Sequence, residues 1–93
     1  MLSSNDVEQV ASAVYRVEGG ANTSHPYGIM THYVHTSPRQ ACINTIQHNA
    51  ERLHVTHVDR YFIFALADVY CPLSADPIGN KNWNKNMIAI LKL

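Results

Sequence analysis

The chain predicts a mainly α-helical fold, a compact domain of about four helices around a buried central helix. Three observations lead to that prediction. Apolar residues recur at helical spacing in separate stretches, residues that cap helix N-termini open those stretches, and glycine or proline closes the clearest of them. Ninety-three residues leave room for one core and no second, so 1–93 reads as a single domain.

The first helix opens at Ser3 or Ser4, with Ser3 and Asp6 spaced as a capping box. Val7, Val10, Ala11, Val14 and Val17 follow on one side, and Gly19-Gly20 stops the helix. The second opens at Ser37-Pro38, an N-cap followed by a proline suited to the first helical turn, and Gln40 completes a second box. Its apolar side is Cys42, Ile43, Ile46, Ala50 and Leu53, which leaves Asn44, Gln47 and Glu51 to water. The third is expected to start at Thr56, with Asp59 three residues on, and to run through Tyr61–Tyr70 until Pro72 ends it. Apolar almost all round, it is the expected central helix. The fourth is expected near Asn82 and places Trp83, Met87, Ile90 and Leu91 on one side. "PLSADPIGN" before it reads as a loop. "YGIMTHYVH", residues 27–35, is β-prone and reads as a short hairpin or flap.

Seven basic and seven acidic residues cancel, and at 15% the charged fraction is low. Nothing forms a basic stripe, which argues against nucleic acid and anionic membrane surfaces as partners. The longest apolar run, Tyr61 to Ala67, is too short to span a bilayer. "MLSSNDVEQV" has neither a charged n-region nor an h-region, so no signal peptide is visible in the chain. The spacing of Cys42 and Cys71 excludes a CxxC pair and leaves two readings, one disulfide or two buried thiols.

One carboxylate stands out. Glu18 falls in the series Val7, Ala11, Val14, Glu18, so the stripe that buries the first three also aims the fourth inward. Desolvation and the negative end of the helix dipole would both favour its protonated form. A carboxyl that keeps its proton near neutral pH is what a general acid needs to protonate a glycosidic oxygen. Gly19 and Gly20 allow a sharp turn and leave a wall without side chains, as a cleft requires. The competing reading is a solvated carboxylate at a frayed helix end.

"YRVEGG" followed by "YGIM" resembles the lysozyme-like superfamily that cleaves bacterial cell-wall glycan, lytic transglycosylases and goose-type lysozymes in particular. "FALADVYCP" and "NWNKNM" look like segments of small bacterial members of that group, so the resemblance spans about Val10 to Ile90. It implies a lysozyme-like helical domain in which Glu18 is the catalytic acid and Gly19 the small residue after it. Gly28, Ile29 and Met30 match the cleft-lining segment. The chain departs from the commoner pattern in Gly19, where many members have serine, and in Thr31, where many have glutamine. The Tyr-Asn pair that supports the glutamate is not present as such, and Tyr70 is the residue placed to replace it.

The implied activity is cleavage of peptidoglycan at the β-1,4 bond between N-acetylmuramic acid and N-acetylglucosamine, by a single-glutamate transglycosylase or muramidase mechanism. The implied partner is a glycan strand, met in the periplasm, outside the cell or at the wall, with a larger secretion or virion assembly as a candidate carrier. The alternative is a non-catalytic wall-binding or interaction module on the same fold.

The remaining acids suit a one-glutamate scheme. Asp6 and Glu8 lie in a first helical turn, Glu51 on a wet face and Asp59 at a cap, and Asp68 and Asp76 have no revealing context. Tyr27, beside Gly28, is the preferred sugar-stacking aromatic, whereas Trp83 reads first as a core residue. Tyr70 has two readings, a hydrogen bond to Glu18 or core filling. His32 and His35, and His54 and His57, make two His-x-x-His pairs without the glutamate of a zinc-protease motif, so surface histidines are expected and no metal or other cofactor.

Overall fold

The computed structural model describes residues 1–27 and 36–93. Along the chain lie α1 (Ser4–Val17), a 3-10 turn (Gly20–Asn22), α2 (Pro38–Leu53), α3 (Arg60–Tyr70) and α4 (Pro77–Leu91). The protein is mainly α-helical, with four α-helices and no strand among the described residues. The expected flap at 27–35 lies, apart from Tyr27, outside them.

Each α-helix starts on a side-chain cap that reaches three residues ahead. Ser3 accepts from the Asp6 N–H at 3.1 Å, Ser37 from Gln40 at 3.0 Å, Asp59 from Phe62 at 2.9 Å and Asp76 from Gly79 at 2.9 Å. The first two are where the sequence puts them. The third helix instead begins one turn after Thr56. His54 takes a left-handed conformation at the end of α2 (φ 56°), and Val55 N–H bonds back to Ala50 O at 2.9 Å. That closure commits the chain to α2 and leaves Asp59 as the first free cap.

The fourth helix begins at Pro77, ahead of the expected Asn82. Asp76-Pro77 repeats the cap-then-proline logic of Ser37-Pro38, but Gly79 and the turn-rich residues around it disguise the first turn as loop.

Among the described residues, α1 packs on α2 and α4, and α3 packs on α2 and α4. The helices therefore close a ring, and no helix occupies its centre. This corrects the expectation of a buried central α3. The ring interior is filled by one face of each helix, including Val10 and Val14, Cys42 and Ile46, Phe62, Ile63 and Leu66, and Met87. The outer face of α3 leaves Tyr61 62%, Phe64 50% and Val69 47% exposed.

Candidate functional site

Glu18 caps the C-terminal end of α1, its backbone N–H bonded to Val14 O at 2.9 Å. The next two residues are left-handed, Gly19 at φ 101° and Gly20 at φ 54°. A Cβ on Gly20 would also stand 3.1 Å from the Tyr15 ring, so both the conformation and the space select glycine there. This reversal leaves the Glu18 side chain continuing the inward stripe of α1, where Val7, Ala11 and Val14 are buried.

The stripe leads Glu18 to α4. The buried indole of Trp83 donates from Nε1 to Glu18 Oε1 at 3.0 Å. Trp83 is held in turn by Tyr70 of α3, whose ring stacks on it with centroids 5.6 Å apart and planes 12° from parallel. The Tyr70 hydroxyl donates to Cys42 Sγ on α2 at 3.2 Å. One connected set of side chains thus draws on all four α-helices. Glu18 Oε2 has no hydrogen-bond partner among the described residues.

Both cysteines are free thiols and border this set. Burial pushes the Cys42 thiol up, against the hydrogen bond from Tyr70, and the Glu18 charge adds to the rise. Cys71 is also raised, by burial first and then by the Asp76 and Glu18 carboxylates. Cys42 is fully buried in the core, and Cys71 is partly buried and packed against it.

Asparagines complete the α4 side. Asn80 donates to Cys71 O at 2.8 Å, and Asn84 Nδ2 donates to Asn80 O and Oδ1, each at 3.1 Å. Asn84 Oδ1 is buried and has no partner among the described residues. Asn80, Trp83, Asn84 and Met87 share one face of α4. Asn80 precedes the expected start near Asn82; once α4 begins at Pro77, the spacing of Asn80 and Asn84 to Trp83 and Met87 shows the stripe.

Of the residues expected at the site, Glu18 and Tyr70 are brought together through Trp83. Tyr27 joins a different set of contacts. Its ring is buried, lies against Tyr15 with centroids 5.3 Å apart, and its hydroxyl accepts from Arg39 Nη1 at 2.9 Å. Arg39 also binds Glu8 and reaches Ser12 Oγ at 3.3 Å. The hydrogen bond with Tyr27, then that with Glu8, pushes the arginine pKa up. Gly28, Ile29 and Met30, with Thr31, His32, Tyr33 and His35, lie outside the described residues.

A cleft of about 460 Å³ opens between α1 and the end of α4 over Ala13, Ile90 and Leu91, and Glu18 is not in its lining. Among the described residues no group of three or more His, Cys, Asp or Glu is placed to hold a metal ion, and no helix is long and apolar enough to cross a membrane. No protein-family model, curated protein or solved structure matches this chain.

Proposed function

We propose that this domain cleaves peptidoglycan glycan strands with Glu18 as the single proton-transfer group. The observation that supports the reading is the anchoring of that carboxylate: Trp83 holds Oε1, while Oε2 has no partner among the described residues. A carboxyl fixed by one oxygen and available at the other can be aimed at a leaving group without first having to be ordered. Glu18 protonates the glycosidic oxygen as the C1–O4 bond breaks, and the N-acetyl carbonyl of the substrate stabilises C1. The resulting carboxylate then takes the proton of the hydroxyl that attacks C1. That hydroxyl is the sugar's own C6 group in a transglycosylase and water in a muramidase. Trp83 is a positioning residue in this scheme, and Tyr70 supports Trp83.

Purified protein incubated with cell-wall sacculi is expected to release soluble muropeptides. Glu18→Gln keeps the shape and the acceptor oxygen but cannot transfer the proton, and should lose about 100-fold or more of the rate. Equal release by Glu18→Gln would remove Glu18 from the chemistry. Co-sedimentation with sacculi and no release from either form would favour the wall-binding module. Anhydro or reducing ends on the products separate the two enzymatic routes.

A further inference from the structure

The sequence makes α3 apolar nearly all round, yet the ring of helices covers only half of it. Phe62, Ile63, Leu66 and Ala67 face the core. The opposite half consists of two adjacent ridges at four-residue spacing: Arg60, Phe64 and Asp68 on one, Tyr61, Ala65 and Val69 on the other. Ala65 is half-buried and the other five are exposed. Two exposed aromatic rings and a valine on one helix face form a contiguous apolar patch that a second surface can cover.

The charges on this face suggest what covers it. Arg60 and Asp68 lie at equal distances along the chain on either side of Phe64, and they carry opposite signs. In an antiparallel α3–α3 contact about a two-fold axis through Phe64, each Arg60 meets the Asp68 of the other copy. The two Phe64 rings then meet at the axis, and each Tyr61 lies beside the second copy's C-terminal half. A single patch that complements itself under rotation is the signature of an isologous dimer. Arg60 spends its Nε on Leu93 O at 3.1 Å, which leaves both Nη groups for a carboxylate, and Asp68 forms no ion pair among the described residues. Zero net charge adds no long-range repulsion between copies.

We infer that the outer face of α3 is a homodimer interface, with α3 packed antiparallel on the α3 of a second copy and two Arg60–Asp68 pairs closing its ends. The interface stands apart from the Glu18 site and does not depend on the proposed activity.

Sedimentation velocity from roughly 5 to 300 μM chain, a range suited to a modest interface, is expected to show a monomer–dimer equilibrium. Phe64→Glu should abolish the dimer while leaving the circular dichroism spectrum unchanged, since residue 64 is exposed. Arg60→Asp and Asp68→Arg should each weaken association at least tenfold by opposing like charges, and the double variant Arg60→Asp/Asp68→Arg should restore it. A monomer throughout the range, a dimer indifferent to Phe64→Glu, or a double variant as weak as the singles would each overturn the inference. An oligomer that forms only with an added partner protein would overturn it too.

Discussion

Trp83 does two jobs with one side chain. Its ring stacks on Tyr70 of α3, and its N–H donates to the half-buried carboxylate that ends the inward stripe of α1. Trp83→Phe keeps the stacking surface and deletes the donor. We expect it to cost about 1–2 kcal/mol in urea unfolding, in the range for leaving a partly buried acceptor without its donor. It should also lower glycan cleavage by freeing Glu18, whereas a purely structural role would leave the rate per folded molecule unchanged. Cys42 offers a test in pH. Its thiol is raised above its ordinary value of 9.0 by burial, so between that value and its native one the folded state holds a proton that the unfolded state has lost. Its stabilising contribution is therefore complete below pH 9.0 and declines as the pH rises further. The stability of Cys42→Ala, weaker at neutral pH because of the cavity, should fall less steeply above pH 9.0 than that of the parent in parallel urea titrations.

At the scale of the element, the four side-chain caps decide where helices begin, and the one at α4 is the most constrained. The Asp76 carboxylate receives Gly79 N–H at 2.9 Å, and a Cβ built on Gly79 would fall 2.3 Å from Asp76 Oδ2 and 3.0 Å from Cys71 Sγ. Glycine is there because the cap and the thiol leave no room for a methyl group. In a plain helix interior Gly→Ala stabilises by up to about 1 kcal/mol. Gly79→Ala should instead destabilise by about 1–2 kcal/mol, because the cap must swing away. Thermal unfolding of the single variant gives the sign, and an Asp76→Ala/Gly79→Ala double variant should show that most of the two costs is shared.

At the scale of the molecule, a ring of four helices gives each helix an inside and an outside, whatever its composition. For α1 and α2 the outside is polar. For α3 it holds Tyr61, Phe64 and Val69, so the segment has more apolar surface than the ring can use. The inferred dimer would bury that surplus and couple folding to association. The melting temperature should then rise by several degrees between roughly 5 and 300 μM chain. With Phe64→Glu it should stay flat, as differential scanning fluorimetry at matched concentrations would show.

Local chemistry was legible wherever a signal spans only a few residues. The Ser3 and Ser37 caps, Pro38, the Gly19-Gly20 stop and the inward stripe ending in Glu18 could all be read directly, because caps and helical periodicity act within one or two turns. The reciprocal halves of the two expected capping boxes do not form among the described residues, and Gln40 Nε2 donates to Asn44 Oδ1 at 2.9 Å instead. Asp59 and Asp76 were harder, since each competes with a nearby alternative. Only the closure of α2 through Val55, and the packing of Gly79 under Asp76, decides between them. The meeting of Glu18 with Trp83, of Tyr70 with Cys42, and of Tyr27 with Arg39 was beyond reach, because these contacts join distant parts of the chain. By itself the sequence determined that the domain is built of four helices, the buried face of the first two and the carboxylate that points inward. Tertiary structure alone decided what that carboxylate touches and which half of α3 is left uncovered, because both depend on how the four helices close into a ring rather than on any one of them.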